Sequence, residues 1–285
     1  MAPAAARAAY PVERRVSMTE FTGDPATRAT VAASPDGASA RSAPGDSYPV
    51  TSSDGTPLGH VPRASQEDAH EAVRAARTAF GGWAEHAADR RARSLVRVAE
   101  ALRDRHARLV QEVVDADGVA PDLAERLVTT AADRWTHYAD RIIGGACDGK
   151  APVGVVAIVA PPFGPLLGLV SLLAPVVAGG NTAVVVASER APLPALTLAE
   201  ALAEAELPDG VVGILTGRTA ELAPLLTAHA DVDAVDLTGA GESAAALASD
   251  STAAAKRVLR PEGRVDWFAD PGTARVTAFL REAAS

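Results

Sequence analysis

From residue 153 to residue 259 the chain alternates short β-branched runs with Ala- and Leu-rich stretches, and this alternation limits the fold more than any other feature. The runs 153–159, Thr182–Val186, 211–215, 235–237 and, more weakly, Arg257–Leu259 show little polar alternation. A strand that is apolar along its length needs cover on both faces. Helical stretches over 165–177, Leu193–Glu204, 220–229 and 242–249 lie between the runs. Strand and helix in strict succession predict an α/β, Rossmann-like, doubly wound parallel sheet, whose ligands sit beyond the carboxyl ends of the strands.

Upstream the pattern changes. Residues 1–46 are rich in Ala, Pro, Ser, Thr and Gly without a sustained period and read as a disordered or loosely attached tail. Its first residues are basic but lack the apolar core of a signal peptide, which leaves a transit peptide or a start at Met18 as readings. Residues 47–150 read as a hairpin and helices. Tyr48–Thr51 and Leu58–Val61 flank the turn Ser53-Asp54-Gly55. Ser65-Gln66-Glu67-Asp68 resembles a capping box and opens a helix over 69–80 that stops at Gly81-Gly82. A second helix is predicted over 89–115, with Leu95, Val98, Ala99, Leu102, Leu109, Val110 and Val113 on one face. A third spans Pro121–Ile143, with proline suited to its first turn. The sheet then occupies 151–265, and 266–285 form a C-terminal helix or tail.

Charge narrows the partners. A net charge of −9 and a pI near 5.2 argue against nucleic acid and anionic membrane, both of which need a concentrated positive field. The apolar run 166–178 is broken by Gly168 and Pro175 and falls short of the ~20 residues a membrane span requires. Cys147 is the one cysteine, which points to a reducing compartment, read as cytoplasmic. There is no Walker A loop, H-E-x-x-H, C-x-x-C or G-x-S-x-G, and the six histidines have no metal-ligand spacing, so no metal site is expected. Asp231, Asp233 and Asp236 read as a turn entering a strand, not as an acidic site.

Several blocks, in order, resemble the aldehyde dehydrogenase superfamily. They are the Phe80…Trp83 pair with its arginine-rich helix, the segment 135–145, the loop Pro161-Pro162-Phe163-Gly164-Pro165, Gly180-Asn181-Thr182 with Glu189, and Leu237-Thr238-Gly239-Ala240. The likeness covers about Val50 to Arg260, roughly the first half of a family member. It implies a truncated member, consisting of the N-terminal helices and coenzyme-binding domain, with the catalytic domain and its nucleophilic Cys missing. Strands that help family members form dimers and tetramers are also reduced between Ile143 and Val153, which puts ordinary oligomerisation in doubt.

The departures bear on chemistry. Phe163 stands where the resemblance puts an oxyanion-binding Asn and has no donor to offer; losing one such donor costs about 3–4 kcal/mol. Val186 replaces a ribose-binding Lys, while Glu189 is kept. Glu189 either accepts from a ribose hydroxyl, favouring NAD over NADP, or is a solvated carboxylate at a helix N-terminus. Ala240 removes a hydroxyl beside the pyrophosphate. Thr238, Gly239, Ala240 and Gly241 then form a vestigial cofactor site with backbone donors only. The run from Gly239 to Ala244 also fits G-x-G-x-x-A with Glu262 downstream, or a tight turn without a ligand. Pro261 falls on the general-base Glu position by spacing, and Glu262 reaches it only with a gap. Cys147 precedes the sheet and reads as incidental.

The resemblance thus implies NAD held weakly or lost, and no aldehyde oxidation by this chain alone. Three functions stay open: a non-catalytic subunit of a full-length aldehyde dehydrogenase, a free-standing NAD or adenine-nucleotide binder, and a residual oxidoreductase completed in trans by another chain.

Overall fold

The structure is a computed structural model that describes residues 30–31, 46–205, 207–260, 263 and 265–283. Its centre is a sheet of β5 (Val155–Val159), β6 (Thr182–Val186), β7 (Val212–Leu215), β8 (Ala234–Asp236) and β9 (Arg257–Leu259). These run parallel in the order β7-β6-β5-β8-β9. β1 (Thr30–Val31) adds an antiparallel edge to β7, and apart from this pair and Asp46 the N-terminal tail lies outside the described residues.

Alternate residues of the strands serve two cores. Val156, Ile158, Ala183, Val185 and Ile214 face a layer built from α2 (Ala88–Asp104), α3 (His106–Asp117), α4 (Pro121–Ile143), α5 (Leu167–Ala178) and α6 (Leu193–Glu204). Val155, Ala157, Val159, Val184 and Val186 face the other layer, which contains α1 (Gln66–Glu85), α7 (Thr219–Ala228) and α8 (Ala244–Ala253). Every residue of β5 and β6 is buried, as unalternated apolar strands require. α5 is buried all round, so its sequence carries almost no polar face. The hairpin of β2 (Ser47–Thr51) and β3 (Pro57–Pro62) sets Tyr48, Val50 and Val61 against Leu196 of α6. Among the described residues no helix is long and apolar enough to cross a membrane.

Two helices differ from their expected extents. The capping box forms, with Ser65 Oγ accepting from Asp68 N–H and the Asp68 carboxylate from Ser65 N–H. The helix does not stop at Gly81-Gly82, however, but continues to Glu85. Trp83 is buried and donates Nε1–H to Val177 O at 3.0 Å, so the glycines are carried through by a tertiary anchor at the very next residue. The single helix expected over 89–115 is two. The chain turns at Arg105 (φ −97°, ψ 11°), whose guanidinium donates to Ala101 O at 3.0 Å and reaches Glu204 of α6 at 2.5 Å. At the far end, the helix expected from Glu242 begins as a 3-10 turn, Gly241–Ser243, before α8.

The C-terminal segment folds back over the domain. α9 (Ala274–Ala278) buries Val276, and Phe279 follows it into the core. β10 (Leu280–Glu282) pairs antiparallel with β4 (Lys150–Pro152), a ribbon with no counterpart in the sequence expectations. Asn181 binds these parts together from a fully buried position. Its Oδ1 accepts from Val153 and Gly154 N–H at 2.8 and 3.1 Å, and its Nδ2 donates to Phe279 O at 3.1 Å. Arg134 of α4 donates to Trp267 O and Ala269 O at 2.6 and 2.7 Å. The Trp267 ring packs over Gly164 and Gly168, and a Cβ at Gly168 would come within 3.3 Å of it.

Candidate functional site

The strand order reverses between β5 and β8, so the loops leaving these two strands diverge at the switch point where doubly wound folds bind their ligands. Here the loops touch. Gly239 N–H donates to Val159 O at 3.1 Å, and a methyl on Gly239 would overlap the Ala160 carbonyl and come 2.5 Å from Pro161 N. Gly239 is thus needed for close backbone approach. Open space lies to one side, as a cleft of about 580 Å³ lined by Tyr48, Pro49, Thr51, Ala160, Pro162, Ser188, Glu189, Arg190, Thr219, Gly239, Ala240 and Gly241. The hairpin, the first turn of α7 and the strand ends meet in it.

Glu189 lies in the loop after β6. Its Oε2 accepts from Thr219 N–H at 3.2 Å, at the N-terminus of α7. Glu189 thus caps a helix (α7, not the α6 that follows it) and also lines the cleft. Burial, reinforced by the Glu189 charge, pushes the Tyr48 hydroxyl well above its ordinary pKa, so that it stays protonated.

The turn after β8 differs from expectation. Its backbone donors were expected to remain for a pyrophosphate, but those of Thr238, Gly239 and Ala240 are engaged within the protein. Thr238 N–H donates to Asp236 Oδ1 at 3.0 Å, Gly239 N–H to Val159 O, and Ala240 N–H to Leu237 O at 3.0 Å. Thr238 Oγ1 also donates to Asp236 Oδ1, so Thr238 is turned to the carboxylate below, not to the cleft. Asp236 is fully buried and paired with Arg275 of α9 at 2.8 Å. Burial raises its pKa, and Arg275 opposes that shift. The three aspartates form no common cluster: Asp233 joins Arg77 of α1 to Val155 N–H, and Asp231 N–H donates to His229.

Phe163 sits in the loop after β5 with 66% of its surface exposed. The Arg190 guanidinium lies 4.5 Å from the ring centroid. Arg190 donates to Pro162 O at 3.2 Å, Ala116 O at 2.7 Å and Asp117 at 2.5 Å, while Gly164 N–H donates to Asp117 at 3.0 Å. Together they pin this loop to the end of α3. Sequence reasoning missed Arg190, and its place beside Glu189 was the one available signal. Pro261, Glu262 and Arg264 lie outside the described residues. Cys147 is half-buried, and burial pushes its thiol pKa up, the opposite of an activated nucleophile. Among the described residues no group of His, Cys, Asp and Glu could hold a metal ion.

The parts fit a coenzyme unevenly. Glu189 offers the acceptor that a ribose hydroxyl needs, whereas the β8 turn offers a pyrophosphate no N–H from Thr238, Gly239 or Ala240.

Fold and cleft define a doubly wound α/β domain of the nucleotide-binding kind. The aldehyde dehydrogenase family model matches residues 41–263, and the chain belongs to that family. It is 29% identical over 199 residues to 2-aminomuconic semialdehyde dehydrogenase of Bos taurus, covering 65% of this chain and 41% of the relative. Betaine aldehyde dehydrogenase of Vibrio vulnificus is 28% identical over 222 residues, covering 73% and 46%. The crystal structure of HpcC from Thermus thermophilus superposes with a TM-score of 0.72 at 28% identity, covering 76% of this chain and 45% of that one. Betaine aldehyde dehydrogenase from Staphylococcus aureus in complex with NAD+ shares the fold at a TM-score of 0.76 and 22% identity, covering 83% and 50%. The chain spans less than half the length of the curated relatives it matches.

Proposed function

We propose that this chain is a catalytically silent member of the aldehyde dehydrogenase family that binds an adenine nucleotide, NAD among them, in the cleft at the strand ends. The observation that carries the reading is Glu189, which lines a cleft of about 580 Å³ in a domain whose β5 loop presents Phe163 in place of a hydrogen-bond donor. A carboxylate accepts from ribose hydroxyls and repels a 2′-phosphate, so NAD binds in preference to NADP. With Phe163 in the loop, an oxyanion would lack a stabilising donor worth about 3–4 kcal/mol. Calorimetry of the chain with NAD and adenine nucleotides tests the proposal. Binding is expected, and Glu189→Gln should weaken it about tenfold, in line with the loss of one charge-assisted hydrogen bond. Absence of heat with any adenine ligand removes the reading.

A second reading has one observation in its favour. Phe163 and Phe268 are both exposed, at 66% and 41%, and each adjoins one side of the Gly164–Trp267 contact. Two exposed aromatics so placed suit a non-catalytic subunit that docks on a full-length aldehyde dehydrogenase in a cytoplasmic setting. Size-exclusion chromatography of the chain mixed with a host aldehyde dehydrogenase should then show a heavier species, which Phe163→Ser with Phe268→Ser abolishes. Separate elution of the two proteins at micromolar concentration counts against it.

A further inference from the structure

We infer that the cleft recognises the nucleoside end of its ligand and gains little from the phosphates or from any group beyond them. The inference rests on the adenine-ligand reading above and narrows it to ligands defined by adenosine.

Phosphate recognition in this kind of fold depends on backbone N–H groups at a strand-to-helix turn, on a cation, or on both. In the turn after β8, the N–H groups of Thr238, Gly239 and Ala240 already donate to Asp236, Val159 and Leu237. They cannot turn outward without undoing the loop contact at Gly239. The cation lining the cleft is Arg190, whose guanidinium is shared among Pro162 O, Ala116 O and Asp117, with its Cζ over the Phe163 ring, 4.5 Å from the centroid. The charge that remains toward the ligand is the Glu189 carboxylate, which attracts ribose hydroxyls and repels phosphate.

The far bank is filled as well. A dinucleotide whose ribose meets Glu189 has to cross the ends of β5 and β8 to extend its second half. Trp267 packs on the loop after β5 at Gly164 and Gly168, and Arg275 holds Asp236 and Thr238 at the end of β8, 2.8 and 3.4 Å away. The chain's own C-terminal segment thus occupies the ground that the second half would use.

The test is calorimetry of the full chain with adenosine, AMP, ADP-ribose, NAD and nicotinamide mononucleotide, at low and high salt. Adenosine, AMP, ADP-ribose and NAD are expected to bind within about threefold of one another, with little salt dependence, and nicotinamide mononucleotide not at all. An AMP or NAD affinity about tenfold or more above that of adenosine, weakening with salt, overturns the inference and leaves the adenine-nucleotide reading standing. Binding of nicotinamide mononucleotide overturns it in the same way. If no adenine ligand binds, both statements fall. Trp267→Ala supplies a further readout, since opening the far bank should raise NAD affinity severalfold relative to adenosine. An unchanged ratio in a folded variant contradicts the claim that the C-terminal segment blocks the second half.

Discussion

Arg275→Ala is expected to destabilise the protein by about 3–5 kcal/mol, because it leaves the Asp236 carboxylate buried without its cation. The loss should depend on pH in a defined sense. Burial is the main influence on Asp236 and raises its pKa, while Arg275 and Thr238 hold the shift back. A carboxyl with a folded pKa above its unfolded value binds its proton more tightly in the native state. Its contribution therefore favours folding in acid and falls as pH rises through the carboxylate range toward the raised value. Removing Arg275 raises that pKa further, so the deficit of the variant should be full at neutral pH and shrink on acidification. Asp236→Asn in the Arg275→Ala background removes the charge and should recover much of the loss. Urea unfolding of the variants at neutral and mildly acidic pH measures this. A neutral-pH loss under about 1 kcal/mol, or one independent of pH, rejects the account.

Gly239→Ala carries the second large effect, about 3 kcal/mol at the upper end of overpacking costs. The groups a methyl would meet are the Ala160 carbonyl and Pro161 N, both backbone, so no rotamer change relieves the overlap. The two loops would have to part, and the Gly239 N–H to Val159 O bond would go with them. Gly241→Ala, two residues on, is the control. Its φ of +54° carries the left-handed penalty of about 1–2 kcal/mol, but nothing lies within 4 Å of the added methyl. Denaturant midpoints should rank wild type above Gly241→Ala and Gly241→Ala above Gly239→Ala. Equal losses at the two glycines remove the packing argument for Gly239.

What the residues disclosed in advance follows from how local the deciding force was. Thr182–Val186, Leu193–Glu204, Arg257–Leu259 and Pro121–Ile143 appear with the bounds read from periodicity and caps, because burial and local signals agree there. The helix running through Gly81-Gly82 and the break at Arg105 were not legible, since the partners of Trp83 and Arg105, Val177 and Glu204, lie in other parts of the chain. β4 and β10 are three residues each, with Lys, Pro, Arg and Glu among them, and their pairing joins distant segments. In the site, Glu189, Gly239, Ala240 and Gly241 do line one cleft, whereas Thr238 turns away to Asp236. A sequence marks which backbone could donate to a ligand; it does not show that a neighbouring carbonyl has already taken the proton.

The ribbon of β4 and β10 also bears on the order of events during synthesis. β4, Val153 and Asn181 leave the ribosome long before Phe279 and Leu280, the residues that complete their hydrogen bonds. Until then Nδ2 of Asn181 lacks the Phe279 acceptor and the β4 edge is open to water or to other chains. The helical layer and the parallel strands can assemble on the nascent chain, but this corner stays open until Phe279–Glu282 have emerged, so the aggregation-prone interval of folding lasts at least that long.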